Sequence, residues 1–281
     1  MYNKINQILV LLVTCSRDET RRDLAVRVVQ NLSEKLSEAS LQNDFMLFDN
    51  GSIYKDHLAY APQGTRIVQS EENTGYWSAI KWVLDNYQKV MGKDYQYIYL
   101  VESDLYHTDL KGLNICTEFL DKTPTAACVR TQEFLVKYRW RFDKALQFLP
   151  FHITRSEITL KNLVDGCRAW FTKTDMPPIY LSNLHAKLPA LNRISAMKIC
   201  FDALSKMENF KEGDFFSEMF KLYPIIGVYD GGLFYSLFSQ DDKKVISGSY
   251  TNNVDLQKTG YQQTRYAKII LPLTNLKITK V

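Results

Sequence analysis

Four short apolar runs in the first hundred residues, each stopping abruptly at a polar, turn-forming cluster, limit what this chain can fold into. The runs are ILVLLVT at 8–14, DFMLF at 44–48, RIVQ at 66–69 and YIYLV at 97–101, and they end in TCSRD, DNGS, SEENTG and ESD. After the first run, Leu24, Val28, Val29, Leu32 and Leu36 recur at helical spacing over 20–38. Before the fourth, YWSAIKWVLDNYQKVM puts Ala79, Ile80, Val83, Leu84 and Tyr87 on one helical face, with Asn73 or Thr74 as cap. Strands that are apolar throughout need cover on both sides, and alternating helices supply it. The prediction is an α/β fold with a mostly parallel central sheet and helices on both faces. Ligands of such sheets collect beyond the carboxyl ends of the strands, where the four polar clusters would meet.

The second half is less regular. Segments 126–131 (AACVRT) and 168–172 (RAWFT) read as strands, and 191–207 reads as a helix through Ile194, Met197, Phe201 and Leu204. KEGDFFSEMFKLYP reads as a capped helix starting near Asp214 and ending before Pro224. YPIIGVYDGGLFYSLF reads as a strand followed by a glycine turn at Tyr229, Asp230, Gly231 and Gly232. From residue 247 onward tyrosines mix with Lys258, Arg265 and Lys268, a pattern suited to clamping a diphosphate or to a solvated surface strand. No repeat or linker divides the chain, so one domain is the economical reading.

Composition narrows the function classes. The 281 residues, 46% of them hydrophobic, suffice for a large core. A net charge of +4, from 35 basic and 31 acidic residues spread along the chain, excludes a polycation built to coat nucleic acid. Peripheral contact with a membrane surface stays open. Five cysteines without a CxxC pair point to reduced, buried thiols and a cytoplasmic setting rather than to disulfides or zinc. QILVLLVTCS competes as a signal peptide, but its apolar core of about six residues is short and threonine before Cys15 is a poor cleavage signal. It reads better as a first strand. No stretch approaches the roughly 18 apolar residues of a membrane span.

The polar clusters hold the chemistry. Glu102 and Asp104, separated by Ser103 at a strand end, would project to one face by strict alternation, offering oxygen donors of the kind that magnesium and manganese prefer. The alternative is a solvated strand end with Asp104 or Asp109 capping a helix. Asp49 to Ser52 reads equally as a simple turn, and Asn73 as a simple cap. His107 follows the acids and could add a metal ligand, though a lone histidine after a strand is more often a surface or cap residue, and His57, His152 and His185 have no partner at metal-ligand spacing.

Taken in order, these elements resemble the nucleotide-binding half of GT-A glycosyltransferases, particularly the inverting family 2. The match covers about residues 7–107: Thr14, Ser16 and Arg17 after the first strand, Asp49, Asn50, Gly51 and Ser52 as a D-x-G-S element, Asn73 and Gly75 as N-x-G, and Glu102 to Asp104 as the metal motif. Glu102 replaces the usual first aspartate, which leaves Asp104 as the safer ligand. The resemblance implies a GT-A (Rossmann-like) fold with a nucleotide-sugar-binding half at 1–110 and an irregular acceptor-binding half at 111–281, including a tail at 247–281. It implies transfer of a monosaccharide from a UDP- or dTDP-sugar to a hydroxyl acceptor on a glycan, a lipid-linked or another molecule, with inversion and Mn2+ or Mg2+. Thr14 to Arg17 would contact the nucleoside or diphosphate, Asp49 the base, and Asn73 and Gly75 the helix beside the nucleotide. Ser103 would lie beside the nucleotide, Trp77 would line a sugar pocket, and Asp104 with Glu102 would hold the metal. An acidic pair resembling the family's base is Glu212 and Asp214, with Asp214 preferred.

Two rivals remain at this level. A sugar-1-phosphate nucleotidyltransferase shares a related sheet but carries a glycine-rich loop that TCSRDETRR lacks. A non-catalytic nucleotide- or glycan-binding relative would fit the glutamate at 102 and the glycine between the acids at 212 and 214.

Overall fold

The structure, a computed structural model, describes residues 8–41, 44–133, 171–182, 188–207, 210, 212–236 and 277–280. Strand β1 (Ile8–Thr14) lies mid-sheet, parallel to β2 (Phe45–Asn50) on one side and β4 (Tyr97–Val101) on the other. Beyond β2 runs β3 (Arg66–Ser70), also parallel. Every residue of β1 and β4 is buried, as their uninterrupted apolar sequences require.

Alternation along β1 divides the core in two. Leu9, Leu11 and Val13 pack with Ala79, Ile80, Val83 and Leu84 of α2 (Tyr76–Met91). Ile8, Val10 and Leu12 pack with Val28, Val29, Leu32 and Leu36 of α1 (Glu19–Glu38). Helix α3 (Gly112–Lys122) joins the α1 face through Leu113, Cys116 and Phe119. Helices α4 (Ile194–Leu204) and α5 (Glu212–Leu222) join the α2 face through Met197, Phe201, Phe215 and Met219. No helix among the described residues is long and apolar enough to cross a membrane.

The remaining strands are β5 (Leu105–His107), β6 (Cys128–Glu133), β7 (Phe171–Lys173), β8 (Ile179–Ser182), β9 (Ala190–Arg193), β10 (Ile226–Ser236) and β11 (Lys277–Lys280). The sheet order is β11-β3-β2-β1-β4-β9-β6-β10-β8-β7, with β5 on β10. Strands β1 to β4, β6 and β10 point the same way, and β9 is inserted antiparallel between β4 and β6.

Three local expectations change. The helix expected over 191–207 is a strand and then a helix, because Ala190–Arg193 fills the gap between β4 and β6 before α4 begins. Arg193 anchors the junction, its Nε donating to the Ala126 carbonyl at 2.9 Å and its Nη2 to those of Leu120 and Thr123. The glycine turn at 229–232 is part of the continuous strand β10, whose pairing with β6 shifts register between Tyr229 and Phe234. Helix α5 starts at Glu212, so Asp214 sits inside its first turn rather than capping it. Segments 168–170 and 247–276 lie outside the described residues.

Candidate active site at the carboxyl edge of the sheet

Because β2 and β3 lie to one side of β1 and β4 to the other, the chain changes direction across the sheet between β1 and β4, where ligands of α/β sheets settle. Val101 pairs with Leu12, so residues 102–104 emerge beside residues 14–16. The loops that follow these strands are laced together. Ser16 donates its N–H to the Ser52 hydroxyl at 2.8 Å, and the Ile53 N–H returns to the Ser16 carbonyl at 2.9 Å. Asn50 Oδ1 accepts from both the N–H and the hydroxyl of Thr74 at 3.0 Å, while its Nδ2 donates to Asn73 Oδ1 at 3.0 Å. Asn73 Oδ1 also accepts from the Gly75 N–H at 2.9 Å, and its Nδ2 donates to Cys15 Sγ at 3.2 Å. The predicted Asn50 and Asn73 are therefore partners of each other, with most of their polar capacity spent inside the protein.

Helix α2 is capped neither by Asn73 nor by Thr74. Its N-cap is Gly75, at φ +90°, with no side-chain cap bond. Asn73 instead closes a turn one step earlier, leaving the first N–H groups of α2 without a side-chain cap. Such an end suits an anion.

Beneath these loops Thr14, Asp49 and His57 meet, all 0% exposed. The Thr14 hydroxyl lies 3.0 Å from His57 Nε2 and donates to Asp49 Oδ1 at 3.4 Å; His57 Nε2 is 3.7 Å from that oxygen. Burial pushes the Asp49 carboxyl up, against the opposing pull of Ser52 and His57, and pushes the His57 imidazole down. Both changes favour the neutral forms. Asp49 thus lies under the cleft rather than open to it, and contact with a base requires it to be uncovered. The chain folds His57 in through a 3-10 turn at Asp56–Tyr60, far from Thr14 in sequence, and no spacing signal connects the two.

Glu102, Ser103 and Asp104 do not continue β4. They form a turn, with the Leu105 N–H donating to the Glu102 carbonyl at 3.3 Å, before the chain resumes as β5. Turn geometry, not strand alternation, therefore aims the acids. They still converge: burial and the charges of Glu102, Glu212 and Asp104 together push the Tyr76 phenol well above its usual range. One hydroxyl at the start of α2 thus senses both acids of the β4 turn and one from the first turn of α5. Packing brings α5 there. Trp77 stacks on Phe215 with centroids 4.5 Å apart, and Phe216 meets its edge at 5.8 Å.

No protein-family model matches the sequence, and no curated protein matches it significantly. Solved structures do match in shape. The S. aureus TarS fragment 1–349 in complex with UDP-GlcNAc is 13% identical over 82% of this chain and 58% of its own, with a TM-score of 0.51. Glucosyl-3-phosphoglycerate synthase from Mycobacterium tuberculosis, in complex with Mn2+, UDP and glucosyl-3-phosphoglycerate, is 12% identical over 82% of this chain and 71% of its own, with a TM-score of 0.47. The fold is GT-A. The chain spans about three fifths of the TarS fragment, whose share covered is 58%.

Within this GT-A sheet, two sequence expectations fail for packing reasons. Trp77 does not line an open sugar pocket: at 6% exposure it is core, ringed by Phe201, Phe210, Phe215 and Phe216. His107 is neither a metal ligand nor a surface residue. It is buried, its Nε2 is 3.2 Å from the Tyr99 hydroxyl, and its ring packs against Phe234. Among the described residues no group of three or more His, Cys, Asp or Glu is placed to hold a metal. Glu102 and Asp104 nevertheless fit the way magnesium is commonly held, by one or two carboxylates with substrate phosphates completing the shell. The charges of both raise the pKa of the same Tyr76 phenol. Tyr76 itself carried no signal in the sequence beyond its place after N-x-G.

Proposed function

We propose that this chain is a glycosyltransferase that moves a monosaccharide from a nucleoside diphosphate sugar, UDP- or dTDP-linked, to a hydroxyl acceptor. The observation that carries this reading is the placing of Glu102 and Asp104 in the turn off the carboxyl end of β4, beside β1 in a GT-A sheet, where their charges and that of Glu212 all act on the Tyr76 phenol. Thr14, Ser16, Arg17 and Ser52 border the nucleoside, with Asp49 beneath them. The uncapped start of α2 faces the diphosphate. Asp104, assisted by Glu102, would hold Mg2+ or Mn2+, which when bound stabilises negative charge on the leaving diphosphate.

Transfer with inversion needs a carboxylate on the acceptor side to take the proton of the attacking hydroxyl. Asp214 in the first turn of α5 is assigned that role, with Glu212 as its alternate. The hydroxyl oxygen forms the new glycosidic bond as the bond from the sugar carbon to the diphosphate oxygen breaks. The acceptor proton passes to the carboxylate, and the electron pair leaves with the diphosphate.

The test is turnover of a panel of UDP- and dTDP-hexoses with Mn2+, with thermal shift by the free diphosphates alongside, since a bound ligand raises the midpoint. Asp104→Asn should abolish the metal-dependent part of UDP binding and cut turnover at least a hundredfold while leaving the ligand-free midpoint unchanged. Asp214→Asn should spare binding and remove turnover. Failure of every nucleotide to bind would sink the assignment, and binding without turnover would make the chain a non-catalytic relative.

A further inference from the structure

Most buried tyrosine hydroxyls among the described residues are engaged. Tyr87 meets Asp94, Tyr95 donates to Asp44 at 3.0 Å, Tyr97 donates to Asp121 at 2.5 Å, and Tyr99 lies between His107 and Thr131. Tyr76 differs, its hydroxyl oxygen being shielded from solvent with no hydrogen-bond partner. Its ring is only half-buried and meets Trp77 edge-on at 5.6 Å, so the residue lies at the rim of the core with its hydroxyl enclosed. A sequestered hydroxyl without a partner is an unspent donor and acceptor, and native structures keep few of them.

We propose that the Tyr76 hydroxyl binds a hydroxyl group of the transferred sugar and so selects which sugar is accepted. This rests on the transferase reading above. There, the acids of the β4 turn mark the leaving-group end of the site and the first turn of α5 marks the acceptor end. A single displacement places the sugar ring between those ends, and Tyr76 is the group whose surroundings include acids from both. The chemistry suits a sugar rather than a phosphate. A phenol among carboxylates stays protonated, adds no positive charge to attract an anion, and can donate to and accept from a sugar hydroxyl at once. Trp77, stacked on Phe215, fixes the backbone from which Tyr76 projects. Its position is therefore set before any ligand arrives.

The test compares wild type with Tyr76→Phe, which removes one oxygen and keeps the ring. Calorimetry with Mn2+ measures affinity for UDP, for each of several UDP-hexoses and for the monodeoxy analogues of the tightest. The expected result is unchanged affinity for UDP, about tenfold weaker binding of the preferred UDP-hexose, as loss of one well-formed hydrogen bond implies, and no further loss with the one deoxy analogue that lacks the contacted hydroxyl. A ligand-free melting midpoint no lower than wild type is also expected. An equal loss across all analogues, no loss, or a lowered ligand-free midpoint would overturn the sugar contact while leaving the transferase reading intact. A wild-type protein that binds no UDP-hexose more tightly than UDP would also overturn it. Binding that follows the expected pattern without turnover would sustain the Tyr76 contact and reject catalysis.

Discussion

At Gly51 two independent demands meet in one residue. The backbone is left-handed, at φ +73°, and a Cβ there would lie 2.4 Å from the Asn73 nitrogen and 2.4 Å from the Glu72 carbonyl carbon. Both obstacles are main chain and cannot swing aside. Gly51→Ala should therefore cost about 2 kcal/mol or more through backbone strain and overpacking together. Gly92, at φ +74° with nothing within 4 Å of where a Cβ would sit, faces the backbone demand alone and should lose only about 1 kcal/mol. Urea denaturation of the two alanine variants checks this; equal losses would deny the close approach of the two loops. The dipeptide Asn50-Gly51 announces a turn in the sequence. That the turn is pressed against Glu72–Asn73 is a fact about two strand ends, which no local pattern carries.

Helix α1 shows the same division at the level of an element. Its apolar spacing was readable, and Asp18 caps it by accepting from the Arg21 N–H at 2.8 Å. Asn31, one of its buried residues, fits no amphipathic pattern. Its Nδ2 donates to the His107 carbonyl at 3.0 Å and its Oδ1 accepts the His107 N–H at 2.6 Å, so one side chain completes the backbone bonding of β5. Asn31→Ala leaves two buried main-chain groups unpaired, at about 1–3 kcal/mol each, and should speed hydrogen exchange at the His107 amide well beyond that at core amides of β1. Unchanged exchange there would mean the clip is dispensable. Helix α2 and strand β4 could be bounded from sequence because a 16-residue periodic stretch and a five-residue apolar run are local signals. Strand β9 could not, since four residues running directly into a helix borrow the helix's own periodicity.

For the molecule as a whole, the sequence displayed four polar strand ends, and parallel topology made their meeting a legible consequence. Glu212 and Asp214 were singled out in the sequence, but the packing of their helix against Trp77 was not, and Tyr76 and His57 carried no signal, because each of these placements depends on packing between distant segments. Whole-molecule stability should also carry the mark of a buried imidazole. Burial lowers the His107 pKa to about 3, against about 6.5 in the unfolded chain. The unfolded state therefore takes up the proton first, so His107 leaves stability intact above pH 6.5 and erodes it as pH falls from there toward 3, by up to about 1.4 kcal/mol per unit. His57, lowered by burial too, acts in the same direction. Denaturation free energies of wild type and His107→Gln, measured from pH 7 to pH 4.5, should converge on acidification; parallel curves would contradict it.

Strand β1 precedes the other described strands yet lies inside the sheet, and β4 obtains its second neighbour, β9, only after β5, α3, β6, β7 and β8 have been made. During synthesis the first four strands can pair among themselves while β4 presents an open, wholly apolar edge. That interval is when this chain is most exposed to sticking to another copy of itself. Strand β9 therefore acts as the sheet's late closing strip, and the speed with which it docks sets how long the edge of β4 stays open.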